Sequence, residues 1–517
     1  MKHIKKLASL LLALVMVLSL AVTAFADEPT TYSITINNST AGHTYEAYQI
    51  FTGDLATNEA GNKVLSNIVW GSGVSEAGQT ALGDAAAKAE TLKTEADAKA
   101  FAKAVAPYLT TAAGSANTVT DGKYVISGLA AGYYLVKDQD GSLTGDNDSY
   151  TEYIIQVVGN VTATPKSDVP EVQKKVKDIN DSTDTTKTDW QDSADYDIGD
   201  SVPFQLKATL ADNVSSYTTY KVVFHDTLSK GLTYNNDAKV YIGGTETNGF
   251  TVTATVNADG ITTLTVSCDD VKALGAGNSS VITVEYTAKL NENAVLGSAG
   301  NPNEVYLEYS NNPNKSEKGN NETGETPKDV VIVFTYKTII NKVDSETKPL
   351  TGAAFKLEKL IKGEDGAADA WTTIKEFAVD GTTTSFTFSG LDDGQYKLTE
   401  TKTPAGYNTI DPIYFVIEAT HDETADAPTL KTLNAYLTDA NGNKQTEMKD
   451  GESVNIDLGT VDLTAGSITT TVVNKSGSEL PSTGGIGTTI FYVLGGVLIL
   501  AAVVLLVTKK RMSGAEN

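Results

Sequence analysis

Side chains able to act as external catalysts are scarce in this 517-residue chain, which has four His and one Cys, Cys268. His43, His225 and His421 stand in no recognisable motif, and His3 lies in an apolar leader. That leaves little material for a soft-metal site, and one cysteine cannot form an internal disulfide. Asp138-Gln139-Asp140-Gly141 opens like a calcium loop, but Leu143 occupies the sixth position, where glycine is required, so the run reads as a solvated turn. No GxxxxGK[ST] phosphate loop occurs. The remaining chemistry is that of lysine amines. Strand alternation puts Lys342 on the inward face with Ile340, and groups Lys174, rather than Lys175, with Val172 and Val176. A lysine must lose its proton to attack a carbonyl. An apolar core lowers its pKa and raises that of a neighbouring carboxyl, so a buried amine and acid can act as nucleophile and proton donor.

The elements that must hold such groups are strands. The chain has 44 Gly and 23 Tyr, and its Thr- and Val-rich runs alternate in polarity between Gly/Asn/Asp turns. At roughly 100–200 residues per domain, its length suggests three or four domains. The net charge of −25 argues against a nucleic-acid binder, which needs a basic face. A redox enzyme, a zinc protein and a disulfide scaffold are likewise excluded by composition.

The ends are distinctive. Lys2, Lys5 and Lys6, the apolar run from Leu7 to Ala21 and Ala24-Phe25-Ala26 have the order of a cleaved secretory signal, residues 1–26. Near the other end, Leu480-Pro481-Ser482-Thr483-Gly484 precedes an uncharged stretch to Thr508, long enough to span a bilayer, and then Lys509, Lys510 and Arg511. This arrangement resembles the sorting signal of Gram-positive wall proteins. The resemblance implies that a sortase cysteine cleaves between Thr483 and Gly484 and passes the threonyl carbonyl to an amine. Without leader and tail, 34 basic and 64 acidic residues remain, so the exported product carries −30.

Between the ends, three modules are expected: an N-terminal domain (27–167), a middle domain (168–328) and a C-terminal domain (329–475), followed by the sorting signal with its membrane helix and basic tail (476–517). The Ala-rich stretch from Ala77 to Leu109 reads as the single helix. Asn311 to Pro327 reads as the exit loop of the middle module or a linker. Gly128-Leu129-Ala130-Ala131-Gly132-Tyr133-Tyr134 through Asp138 parallels Gly390-Leu391-Asp392-Asp393-Gly394-Gln395-Tyr396 through Glu400, so the first and third modules read as variants of one sandwich. The fold class is therefore mainly β, with tandem immunoglobulin-like β-sandwiches.

Several runs resemble sortase-assembled Gram-positive major pilins, with CnaA-like and CnaB-like domains. Ala47-Tyr48-Gln49-Ile50-Phe51-Thr52-Gly53 is similar to the start of their first domain. Tyr396-Lys397-Leu398-Thr399-Glu400-Thr401 resembles their E-box, and Asn341-Lys342-Val343-Asp344 the opening strand of a CnaB domain. The resemblance implies a Lys342–Asn474 isopeptide bond assisted by Glu400. In the middle domain it implies a Lys174–Asn303 bond assisted by Asp226. No bond is expected in the first module: Asp138 stands in the E-box acid's place, but the opening strand holds no lysine. Thr164-Pro165-Lys166 resembles the pilin motif, where Pro165 fixes its own φ and keeps Thr164 extended, making Lys166 the intersubunit amine.

The reading is a structural shaft subunit of a cell-surface pilus, not a turnover enzyme, without cofactor or metal. Thr483 of one subunit is joined to Lys166 of the next. The implied partners are a pilin-specific and a housekeeping sortase, copies of itself, minor pilins and peptidoglycan, and the product is exported and wall-attached. The alternatives are a wall-anchored adhesin or a non-polymerising tip or base pilin, and more remotely a wall hydrolase.

Overall fold

The computed structural model describes residues 31–58, 61–143, 147–165, 168–183, 189–363 and 367–477. The secretory leader, Lys166, the Leu480–Gly484 motif, the apolar stretch and the basic tail lie outside the described residues. No helix among the described residues is long and apolar enough to cross a membrane.

The first module packs two sheets. One has the order Lys123–Leu129, Tyr32–Asn37, Val161–Ala163; the other is Lys63–Trp70, Tyr45–Thr57, Gly132–Asp138, Glu152–Val157. Period-two alternation of Ile34, Ile36, Tyr124 and Ile126 supplies the core between them. The expected single helix is three short ones: α1 (Glu76–Leu82), α2 (Ala85–Thr91) and α3 (Glu95–Val105). The breaks have local causes. Gly83 ends α1 at φ 87°, and Asp84 then caps α2 by accepting from the Ala87 N–H. Thr94 and Asp97 form a reciprocal capping box at the start of α3. Phe101 and Val105 of α3 pack on Phe51 and Leu135, covering the outer face of the second sheet.

The third module repeats this topology. Its opening strand Tyr336–Asp344 lies between Ser385–Leu391 and the last strand Ser467–Asn474, facing a sheet of Ala370–Glu376, Ala354–Ile361, Gly394–Lys402, Ile413–His421 and Leu430–Thr438. In both modules the first strand pairs parallel with the last. The repeated sequence runs coincide in detail. Gly128 and Gly390 adopt φ of 78° and 77°, a left-handed conformation that favours glycine. The Tyr134 hydroxyl donates to the Ala130 carbonyl at 2.9 Å and Tyr396 to the Asp392 carbonyl at 2.8 Å.

The second module is the largest sandwich. One sheet has the order Ser193–Asp195, Asp329–Phe334, Asn301–Ser310, Val222–Leu228, Thr262–Cys268, Thr251–Val256; the other includes Lys239–Ile242, Val281–Leu290, Ser201–Thr209 and, at its edge, Glu171–Val176. Two boundary expectations change here. Residues Asp329–Phe334, assigned from sequence to the third module, pair with Asn301–Ser310 and Ser193–Asp195, so this strand completes the second module's sheet before the chain crosses at Thr335. Its buried Val331 and Val333 join that module's core. The stretch 311–327 is not a free linker: Thr323–Glu325 returns to pair with Asn301–Ser310. It also meets the first module, with the Tyr150 N–H donating to the Asn311 carbonyl and the Asn147 N–H to the Glu325 carbonyl. Asn, Gly and Pro density marked the turns, but the pairing partner was remote in sequence.

Candidate isopeptide sites

In the second module, Lys174 sits on the edge strand Glu171–Val176 and crosses the sandwich. Its Nζ lies 2.5 Å from Asp226 Oδ1 and 3.1 Å from the Tyr286 hydroxyl. Tyr286 donates to Asp226 Oδ2 at 2.5 Å and accepts from Asn303 Nδ2 at 2.8 Å. Lys174, Asp226 and Asn303 are fully buried, whereas Lys175 points outward and pairs with Asp192. Asn303 Oδ1 is buried without a hydrogen-bond partner. Burial pulls the Lys174 amine down from its ordinary value, against the charge of Asp226, and pushes the Asp226 carboxyl up despite the nearby amine. Both shifts favour a neutral amine beside a protonated acid.

The third module uses a different geometry. Lys342 and Asn474 share one face of two adjacent parallel strands, with Lys342 opposite Val472 and Asp344 opposite Asn474. Glu400 reaches them from the facing sheet. Asn474 Nδ2 donates to both Glu400 oxygens at 3.0 Å and to the Asn408 carbonyl at 3.0 Å. Lys342 Nζ donates to the Val472 carbonyl at 3.0 Å. Lys342 and Asn474 are fully buried, Glu400 nearly so, and Asn474 Oδ1 again lacks a partner. Burial lowers the Lys342 amine, opposed by the charge of Glu400.

The first module brings together no such trio. Asp138 occupies the position of Glu400 but is buried, not a solvated turn residue, and accepts from Thr151 N at 2.7 Å and bonds His43 Nδ1 at 2.7 Å. The inward side chains of its opening strand are Ile34 and Ile36.

The structure gathers the six residues named from sequence into two buried clusters and adds Tyr286, which the sequence reading did not name. The same alternation that puts Ile282 and Val284 inward also puts Tyr286 inward, but an inward aromatic reads as core, and nothing in the run reveals that its hydroxyl touches three polar groups. The last described residue before Lys166 is Pro165. It lines, with Thr164, a cavity of about 430 Å³ between α3 and the second module, whose walls include Lys99, Tyr153 and Pro313.

Comparison with known proteins follows this geometry. Residues 198–313 match the model described as Gram-positive pilin backbone subunit 2, Cna-B-like domain, so the middle module, expected as CnaA-like, carries a Cna-B-like description. Residues 337–431 match the SpaA prealbumin-like fold domain, and 472–513 the LPXTG cell wall anchor motif. The trypsin-resistant surface T6 protein of Streptococcus pyogenes serotype M6 is 28% identical over 454 residues, covering 76% of this chain and 77% of that protein. These matches make the chain similar to the sortase-assembled Gram-positive major pilins. Its fold is similar to that of the T6 backbone pilin of serotype M6 Streptococcus pyogenes, with a TM-score of 0.55 at 19% identity over 87% of this chain and 99% of that one. The pilin is a structural shaft subunit of a polymerised pilus, anchored to the cell wall and exposed at the surface, and is not an enzyme.

Proposed function

We propose that a sortase joins Thr483 of one subunit to Lys166 of the next, and that Lys174–Asn303 and Lys342–Asn474 isopeptide bonds brace the second and third modules. The observation that carries the braces is the pair of buried amide oxygens, Asn303 Oδ1 and Asn474 Oδ1, each unpartnered in a site that also holds a buried lysine and a carboxylic acid. An unpaired buried carbonyl is costly, and such a site is primed for reaction. The neutral Lys Nζ attacks the Asn Cγ. Asp226 or Glu400 polarises the carbonyl, the Cγ–Nδ2 bond breaks, and one ammonia leaves with the proton the amine gives up. In the third module, half a turn of the Asn474 amide presents Oδ1 to Glu400 for this step. In the second, Tyr286 holds Asn303 and Asp226 on one hydroxyl.

For the intersubunit bond, the sortase cysteine displaces Gly484 from the Thr483 carbonyl, and the Lys166 amine then displaces the thiol. Head-to-tail contacts of this kind do not close and so extend a filament. Minor pilins and a housekeeping sortase that transfers the finished polymer to peptidoglycan complete the reading.

Two measurements test it. Wall extracts boiled in detergent should give a high-mass ladder that collapses to monomer in a Lys166→Ala strain; a ladder in both strains moves the amine to another lysine. The intact mass of the exported chain should fall short of its sequence mass by two ammonias, with cross-linked peptides joining Lys174 to Asn303 and Lys342 to Asn474. An unmodified mass would remove the braces from the reading while leaving the pilin assignment untouched.

A further inference from the structure

The seam between the second and third modules is lined by carboxylates, and they fall into three groupings. Asp181, Asp197 and Asp392 surround the fully buried Lys359 Nζ at 2.6, 2.5 and 3.1 Å. Asp178 and Asp195 flank His421 Nε2 at 3.4 and 3.7 Å. The third grouping, Asp195, Asp392 and Asp393, brings one oxygen from each residue within 4.8 Å of the others. Among the described residues, no side-chain cation of this chain stands at its centre. Two of the three groupings thus hold a positive side chain of their own; the third shares Asp392 with the Lys359 grouping and Asp195 with the His421 grouping, and Asn180 Nδ2 donates to its Asp393.

Two buried polar atoms point into the third. Asp195 is 3% exposed, and its Oδ2 is buried without a hydrogen-bond partner. The Tyr336 hydroxyl, which belongs to no carboxylate cluster, is also fully buried and makes no hydrogen bond of standard geometry; it faces Asp195, its nearest acceptor, with Asp392 and Asp393 close by. Buried polar atoms without partners are rare and call for a ligand or water. We propose that Asp195, Asp392 and Asp393, with the Tyr336 hydroxyl, hold a calcium ion that ties the second module to the third. The donors are all hard oxygens, which select calcium or magnesium over softer metals. Calcium sits 2.3–2.6 Å from its ligands, so opposed ligand oxygens lie up to about 5 Å apart, and this cluster has that span. Magnesium demands a tighter octahedron and keeps more of its water. Asp195 comes from the second module, and Tyr336, Asp392 and Asp393 come from the third, so the ion bridges the two.

The test is calorimetric titration of calcium chloride into the exported chain, residues 27–483, after chelation, with thermal unfolding alongside. The expected result is one saturable site with Kd of roughly 10⁻⁴–10⁻³ M, in the range of extracellular calcium modules. The unfolding temperature should rise with calcium. Asp393→Asn should weaken binding at least tenfold. Tyr336→Phe, which removes only a hydroxyl and keeps the core filled, should weaken it a few-fold and covers the case in which the aspartate variant fails to fold. Absence of heat and of any thermal shift at ten times the expected Kd overturns the proposal, as does undiminished binding in a folded variant.

Discussion

Glu400→Gln is expected to yield a folded pilin whose third module lacks the proposed covalent brace, keeps the ammonia whose loss that bond requires, and is markedly less stable. Glutamine keeps the shape of the side chain that contacts Asn474 Nδ2, but it cannot supply the acidic proton that polarises the amide. Lys342 and Asn474 then remain as unreacted neighbours. The bond they would have formed closes a loop spanning almost the whole module. By the chain-entropy account of cross-links, a loop of more than about 100 residues contributes about 5 kcal/mol. For a domain of this size each kcal/mol shifts the midpoint by roughly 2–4 °C, so the module's unfolding transition should drop by about 10–20 °C. The second module's transition should not move. A Glu400→Gln protein with wild-type mass would show that the bond closes without an acid at this position, and the assigned role of Glu400 would be lost.

Lys359→Met is expected to be the most damaging single change at the seam. It keeps the aliphatic stem but removes the one ammonium among Asp181, Asp197 and Asp392. Taking one partner from a buried ionic cluster costs about 3–5 kcal/mol, because the remaining charges stay desolvated. The loss should depend on pH, and the signs of the surrounding shifts agree. Burial pushes Asp178 up to about 6, and it pushes Asp393, with help from neighbouring carboxylates, to about 8. Both therefore bind protons in the folded state that they release when unfolded, and stability falls as pH rises from about 4 through those values. Burial works against the His421 cation, but the bonds and charges of Asp178 and Asp195 outweigh it and hold the imidazole at about 10. Its stabilisation is complete below about 6.5 and is lost as pH climbs through 10. Urea unfolding in chelator should show wild-type stability declining from pH 5 to pH 9. The Lys359→Met deficit should be smaller at pH 5, where more of the carboxyls are protonated. An equal deficit at both pH values would mean that the lysine acts through packing alone.

The legibility of these features from sequence followed how local their causes are. Lys174 and Lys342 were readable because period-two alternation is a property of the strand itself, and their burial needed no knowledge of the partner sheet. Lys359 obeys the same rule, sharing the inward face with Phe355 and Leu357, but its partners Asp181 and Asp197 lie in another module and no spacing announces them. The strand Asp329–Phe334 was misassigned for a similar reason: a Val/Ile run declares itself a strand without declaring its sheet. The helix was overextended because alanine periodicity continues through Gly83 and Thr94, whose capping bonds interrupt it.

The position of the strand Val161–Ala163, which closes the first module immediately before Pro165 and Lys166, has a mechanical consequence. With subunits joined through Lys166 and Thr483 as proposed, tension along the shaft would enter each one after its first module and leave after its third. That load path would cross the two modules in which the candidate cross-linking trios sit. The first module, where Asp138 is spent on His43 and Thr151 rather than on a lysine, hangs beside that path and bears none of the load. In the third module the entering strand, Tyr336–Asp344, lies directly against the departing one, Ser467–Asn474. A bond from Lys342 to Asn474 would shunt the force from one to the other and leave the intervening sandwich slack.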